Sequence, residues 1–213
     1  MKSSVPSKRA SFSKPGAVAT IAAMAQAAPT ESRYTTEAYF DLVAAGIMRP
    51  DDRVELLEGV IVAMSPHNPR HASATRRVSN ALNDAIGRRA VISVQLPLIV
   101  GSHSAPEPDV AVIPGRASDY DDAHPTTALL VVEVADTSLL EDRLTKGPIY
   151  AGAGIPEYWL VNLRDDCVEV FRGPERATRR YTETRVAHRG DLLNLAAFAD
   201  ANVAVADILP EKQ

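Results

Sequence analysis

Apolar positions along this chain change their period several times, and each change marks a predicted element. Between Tyr34 and Ala45 they fall at Tyr39, Leu42 and Val43, with Thr35 or Thr36 ahead of Glu37 as a cap, which predicts a short helix ended by Gly46. Val54 to Met64 alternates instead, and Glu58-Gly59 stands where a tight turn would join two antiparallel strands, so a hairpin is expected. From His71 to Arg89 the period lengthens again. Ala74, Val78, Leu82 and Ile86 recur every four residues, while Arg77, Asn80, Asp84 and Arg88 mark the opposite face of an amphipathic helix.

Val91 to Val100, Asp109 to Ile113 and Leu129 to Val134 are short runs of Val, Leu and Ile separated by Pro, Gly and Ser, as buried strands of a central sheet would be. Leu139 to Ala153 reads as a helix opened near Thr137 or Ser138 and closed by Gly152 and Gly154, with a local irregularity at Pro148. Glu157 to Asn162, Cys167 to Arg172 and Arg179 to Thr184 complete the predicted strands. This order predicts an α+β fold, an α/β sandwich with a central mixed β-sheet flanked by helices. A chain of 213 residues suits one core. We place a single domain over residues 31–210.

Composition changes the picture at the N-terminus. Residues 1–30 are mostly Ser, Lys, Pro and Ala and cannot offset the entropy of ordering them, so they are expected to be disordered. Ala17 to Ala28 imitates a signal peptide, but its apolar part is mostly alanine; a mis-assigned start would explain the segment equally well. Lys2, Lys8, Arg9 and Lys14 face no acid there, so a formal total of -4 leaves -8 on the remainder. An acidic body argues against a coat protein for nucleic acid and leaves room for carboxylates neutralised by metal. No run reaches the roughly 18–20 apolar residues of a membrane span. The single Cys167 excludes an intramolecular disulfide and a cysteine zinc site, and fits the cytoplasm.

Charges inside apolar strand runs cost several kcal/mol unless paired or metal-bound, so their positions are informative. Asp109 follows Pro108 and opens Asp-Val-Ala-Val-Ile; Glu133 interrupts Leu-Leu-Val-Val-Glu-Val; Glu55 stands between Val54 and Leu56. Converging carboxylates supply the hard oxygen ligands that Mg²⁺ or Mn²⁺ takes, and Lys146 on the following helix is a point charge for a phosphate. The alternative has Asp109 capping a strand, Glu55 and Glu133 paired with arginines, and Lys146 solvated.

Arg53-Val54-Glu55-Leu56-Leu57-Glu58-Gly59, Glu107-Pro108-Asp109-Val110-Ala111-Val112, Val132-Glu133-Val134, Lys146, and Tyr150-Ala151 through Gly154-Ile155-Pro156-Glu157-Tyr158-Trp159-Leu160-Val161 together resemble the Uma family of restriction endonucleases. The likeness runs from about Tyr34 to Leu209 with the motifs in family order. It implies a restriction-endonuclease-like core of the PD-(D/E)xK kind and a divalent-metal-dependent nuclease. Asp109, Glu133 and Val134 would be the metal ligands, Glu55 a further ligand or base, and Lys146 the catalytic lysine. In that superfamily the lysine usually follows the acid by two positions, where this chain has Ala135. Asp136 either adds a ligand or caps the next helix. The implied partner is nucleic acid, DNA in the first instance, with a homodimer joined through the C-terminal strands. The competing reading is a catalytically silent nucleic-acid- or protein-binding module on the same fold, and a third is a hydrolase of small phosphate esters.

Substrate contacts are sought at His71, Arg76, Arg77 and Gln95, with Arg70, Arg88 and Arg89 extending one basic element. The alternatives are a helix-capping or surface role for His71 and a sheet-face hydrogen bond for Gln95. Tyr158 and Trp159 are read as core residues rather than base-stacking platforms. Glu157 is expected to pair with Lys146 or Arg143 and steady the catalytic helix.

Overall fold

The structure, a computed structural model, describes residues 33–49 and 51–211. The segment 1–30, expected to be disordered, lies outside the described residues. Helix α1 (Thr36–Ala44) starts at Thr35, whose side chain accepts a hydrogen bond from the Ala38 N–H at 3.1 Å. Strands β1 (Val54–Leu57) and β2 (Val60–Ala63) form the expected hairpin. Glu58 and Gly59 both have positive φ, as a two-residue turn of the primed type requires.

Helix α2 (Pro69–Ile86) begins two residues before the expected start, because Asn68 accepts from the His71 N–H at 2.9 Å and Pro69 takes the first turn. Its buried stripe of Ala74, Val78, Leu82 and Ile86 is the one the period predicts. Strand β3 is much shorter than the predicted run, covering Val91–Ser93 only. Gln95 turns to positive φ and Pro97 has no N–H to donate, so residues 95–100 cannot continue a ladder; Leu98 and Val100 instead donate to Pro106 and Ser104 carbonyls.

Strands β4 (Val110–Ile113) and β5 (Leu130–Ala135) follow. The predicted second long helix is three pieces: α3 (Leu139–Glu141), a π-helical turn (Asp142–Lys146) and α4 (Gly147–Ala153), closed by Gly154 in the left-handed region. The irregularity lies before Pro148, which cannot donate to the Leu144 carbonyl and whose ring would crowd it in a regular helix. Strands β6 (Glu157–Asn162), β7 (Cys167–Glu175) and β8 (Arg180–Ala187) complete a six-stranded mixed sheet in the order β3-β4-β5-β6-β7-β8, parallel only between β5 and β6. Crossing from β5 to a parallel β6 requires the intervening helix. The periodicity missed a C-terminal hairpin of β9 (Leu192–Leu195) and β10 (Phe198–Ala204), and helix α5 (Val205–Ile208).

The sheet is covered on both faces. Val110, Val112, Val132, Val134, Trp159 and Val161 meet α2, the β9–β10 hairpin and α5 in one core. The alternate residues Ala111, Val131, Ala135, Tyr158 and Leu160 meet Tyr150, Ile149 and Leu57 in the other. Trp159 and Tyr158 are buried on opposite faces, as the core reading expects, and Cys167 is a buried free thiol. This is the α+β restriction-endonuclease-like architecture anticipated above. Among the described residues no helix is long and apolar enough to cross a membrane.

Candidate active site

Strand parity decides which charges meet. Asp109, just before β4, and Glu133, in mid-β5, carry odd numbers like Ala111 and Val131, so both side chains rise from the face covered by α4. The Asp109 N–H lies 3.4 Å from Glu133 Oε2, and Asp109 Oδ2 accepts from the Val134 N–H at 2.8 Å, which locks the acid against the neighbouring strand. Glu55 arrives from β1, where its Oε2 accepts from the Glu107 N–H at 3.1 Å.

Lys146 reaches back from the π-helical turn. Its Nζ stands 3.1 Å from Glu55 Oε1 and 3.2 Å from Glu133 Oε1. Glu55, Asp109, Glu133 and Lys146 are all no more than 6 % exposed. The alternative with arginine partners and a solvated lysine is therefore replaced by one buried cluster. The expected link from Glu157 to this helix is absent. Glu157 shares its sheet face with Trp159 and Val161, opposite the lysine, and accepts from Arg172, Trp159 Nε1 at 2.8 Å and the Ala196 N–H at 2.8 Å. Arg143 pairs with Glu169 instead.

Sequence reasoning missed several neighbours. The Tyr150 hydroxyl donates to Glu133 Oε1 at 2.6 Å, and Asp142 accepts from the Ser138 hydroxyl at 2.7 Å. Asp142, Lys146 and Tyr150 are spaced four apart, so a helical stripe through Lys146 was the available signal. His67 was missed as well; its only signal was the His-x-x-x-His spacing with His71 across the Asn68-Pro69 helix start.

His71 Nε2 lies 3.1 Å from Asp109 Oδ2, and Asn68, not His71, caps the helix. Gln95 Nε2 donates to Asp109 Oδ1 at 3.1 Å, so this side chain does point into the cluster. Asp136 caps nothing: it accepts from Asn68 Nδ2 at 2.7 Å at the cleft edge. Arg76 and Arg77 sit further along α2 and do not line the cleft, and Arg89 is engaged with Asp200 at 2.7 Å.

The electrostatics are those of an acid-rich site short of positive charge. Burial pushes Asp109 up, but the His71 ring, the Val134 N–H and the Gln95 amide outweigh it and hold this carboxyl below the usual range. Burial raises Glu133 well above its ordinary value; Lys146 opposes the rise, and Asp142, Asp109 and Glu55 add to it. Asp142 is pushed up to about 6 by burial, against Lys146 and the Ser138 hydroxyl. Burial disfavours the Lys146 charge too, yet Glu133, Glu55 and Asp142 prevail and hold the ammonium above the lysine range. His67 is lowered by burial, then by His71 and Arg53, which favours a neutral ring.

The cleft above these groups is lined by Glu55, Glu107, Asp109, Glu133, Asp136, Glu141 and Asp142, with Lys146 as its lysine. Seven carboxylates around one ammonium suit a hard divalent cation, which takes oxygen donors and offsets the surplus of negative charge that helps to raise Glu133. Asp109, Glu133 and Glu55 have the chemistry to hold such an ion, and Val134 lines the same wall.

A family model described as "Uma2: Putative restriction endonuclease" matches residues 36–206. Among solved structures the chain resembles one described as "a putative nuclease belonging to DUF820" from Anabaena variabilis ATCC 29413. The TM-score is 0.66 at 18% identity, covering 82% of this chain and 96% of that one, a likeness that speaks for the fold. No curated protein matches the chain.

Proposed function

This chain belongs to the Uma2 family, and we propose that it is a divalent-metal-dependent nuclease that hydrolyses the phosphodiester bonds of DNA. The observation that carries the reading is the buried meeting of Asp109, Glu133 and Glu55 with Lys146 at the floor of one acidic cleft. Asp109 and Glu133 are the proposed ligands of Mg²⁺ or Mn²⁺, with Val134 and Glu55 completing the set. When bound, such an ion screens the phosphate charge and lowers the pKa of water that attacks it.

The protein's own groups do the rest. Asp109 stays ionised because His71, Val134 and Gln95 all donate to it. Tyr150 fixes the rotamer of Glu133. Lys146, held in place by two carboxylates, offers its third N–H bond to a phosphate oxygen and balances the charge that develops in the transition state. Glu55 steadies Lys146 and is the candidate to orient or accept a proton from the attacking water. Arg76 and Arg77 reach only the DNA beyond the cleft. The protein acts in the cytoplasm, and a homodimer would form along the open edge at β8, where Val186 is exposed.

The test is incubation of end-labelled duplex DNA, single-stranded DNA and RNA with the full chain in Mg²⁺, Mn²⁺ or EDTA. Metal-dependent cleavage of duplex DNA, lost in Asp109→Asn, supports the proposal. Calorimetric metal binding with no cleavage of any substrate would contradict it and favour the binding-module reading.

A further inference from the structure

Arg53 stands at the mouth of the cleft. The Met64 N–H donates to its carbonyl at 2.9 Å, which extends the β1–β2 pairing by one residue beyond Val54 and Ala63. Lying two positions ahead of Glu55 on extended chain, Arg53 sends its side chain to the same face. There Nη2 lies 2.8 Å from Nε2 of His67, a ring that lines the cleft together with Glu55, Asp109 and Lys146. Although carboxylates crowd this cleft, Arg53 makes no ion pair with any of them among the described residues. Its guanidinium is exposed and keeps its donors for something else.

The hydrogen bonds behind His67 decide where its proton sits. The Asp109 carboxylate only accepts, so the Gln95 amide presents its nitrogen there, 3.1 Å from Oδ1. The second N–H of that amide faces His67 Nδ1 at 3.0 Å, which makes Nδ1 an acceptor. The neutral ring carries one proton, and it is therefore on Nε2. Nε2–H and the Arg53 guanidinium are both donors. They cannot bond to each other, and the acceptor that serves both best is one with several lone pairs and a negative charge. A phosphate group has both, and the planar fork of an arginine matches its oxygens. An acidic cleft repels a polyanion, so donors at its rim are where the phosphates of an entering strand are positioned.

We propose that Arg53 and His67 form a subsite for one phosphate of the nucleic-acid strand, flanking the phosphate that Lys146 contacts, with both side chains donating to it. The subsite rests on the nuclease reading of the cleft for its ligand. It adds to that reading two residues that hold the substrate without touching the reacting bond, and its readout is binding rather than cleavage.

Fluorescently labelled duplex DNA is titrated with the full chain in Ca²⁺, which takes the same oxygen donors as Mg²⁺, at several salt concentrations, and anisotropy gives Kd. Wild type is compared with Arg53→Gln, Arg53→Lys, His67→Ala, the double variant of Arg53→Gln with His67→Ala, and Arg116→Gln. Arg116 is exposed and lies beyond the end of β4 remote from Asp109. Arg53→Gln is expected to weaken binding roughly tenfold and to lower the slope of log Kd against log salt by about one, while Arg116→Gln changes neither. Arg53→Lys keeps the slope and loses part of the affinity, because an ammonium lacks the fork. The double variant loses less than its two single losses combined, because both donors hold one phosphate. An unchanged slope in Arg53→Gln, an equal loss in Arg116→Gln, additive losses in the double variant, or no binding by wild type overturns the proposal. Thermal melts establish that each variant is folded. Cleavage in Mg²⁺ is scored separately: wild type that binds as expected and cuts nothing counts against the nuclease reading and leaves the subsite standing, whereas cleavage with an unchanged slope in Arg53→Gln removes the subsite alone.

Discussion

Lys146 Nζ stands 3.2 Å from Glu133 Oε1 although thirteen positions, a short helix and a π-helical turn separate them in the chain. Ala135, two residues beyond Glu133, is fully buried on the same face as the acid, inside that face's apolar core. The helix delivers the ammonium from above instead. This makes the helix–sheet packing part of the site, so a change in either is felt by both.

Removing the ammonium leaves two buried carboxylates uncompensated. Lys146→Ala is expected to lose about 3–5 kcal/mol of stability in urea unfolding, together with metal-dependent cleavage. Adding Glu133→Gln to it should recover part of that loss. Additive losses in the double variant would show that the two side chains do not interact.

Metal and proton compete for Glu133. Because burial raises this carboxyl above its ordinary value, protons compete for it more strongly than for an exposed acid, and Mg²⁺ affinity is expected to weaken as pH is lowered, less so in Glu133→Gln. Calorimetric titration at several pH values checks this; the same pH dependence in wild type and Glu133→Gln would place Glu133 outside the metal's ligands.

Asp142 gives a stability signature of its own. An acid raised from about 3.9 in the unfolded chain to about 6 in the fold holds its proton more tightly when folded. The resulting stability is complete below the lower value and is lost as pH rises through the upper one. In EDTA, Asp142→Asn should match wild type near the lower value, become relatively more stable as pH rises to about 6, and gain nothing further above. Parallel Tm curves across that interval would contradict the assignment.

Glu157 is a structural acid in this account. It is fully buried and holds Arg172, the Trp159 indole and the β9–β10 hairpin at Ala196. Glu157→Ala should cost roughly 2–4 kcal/mol while the folded fraction keeps wild-type Mg²⁺ affinity. A change in Mg²⁺ affinity larger than the fold defect would tie Glu157 back to the cleft.

Asp109, Glu133 and Glu55 were legible because a charge inside an apolar strand has few explanations. Lys146 could be read only as a charge on the next helix, and the family likeness alone singled it out as the catalytic lysine, since nothing in its local pattern marks it as buried. Asp142 and Tyr150 lay on the same helical stripe and were readable by period, had the stripe been followed from Lys146 in both directions. Glu157 was misread because helix contacts were inferred from nearness in the chain; the β5–β6 register pairs Glu133 with Leu160 and so sends Glu157 to the other face. His67 sits in a loop, where no period exists to place it. The Ala-rich β10 carries too little strand propensity to announce itself.

The central claim is that a metal held at Asp109 and Glu133 drives phosphodiester cleavage. Nicking of supercoiled plasmid by the purified chain, with Mg²⁺, Mn²⁺ or EDTA and beside Glu133→Ala prepared identically, tests it most directly. The account predicts conversion to open circle with either metal, none with EDTA and none with the variant. Identical behaviour of wild type and Glu133→Ala, whether both nick or neither does, would contradict it.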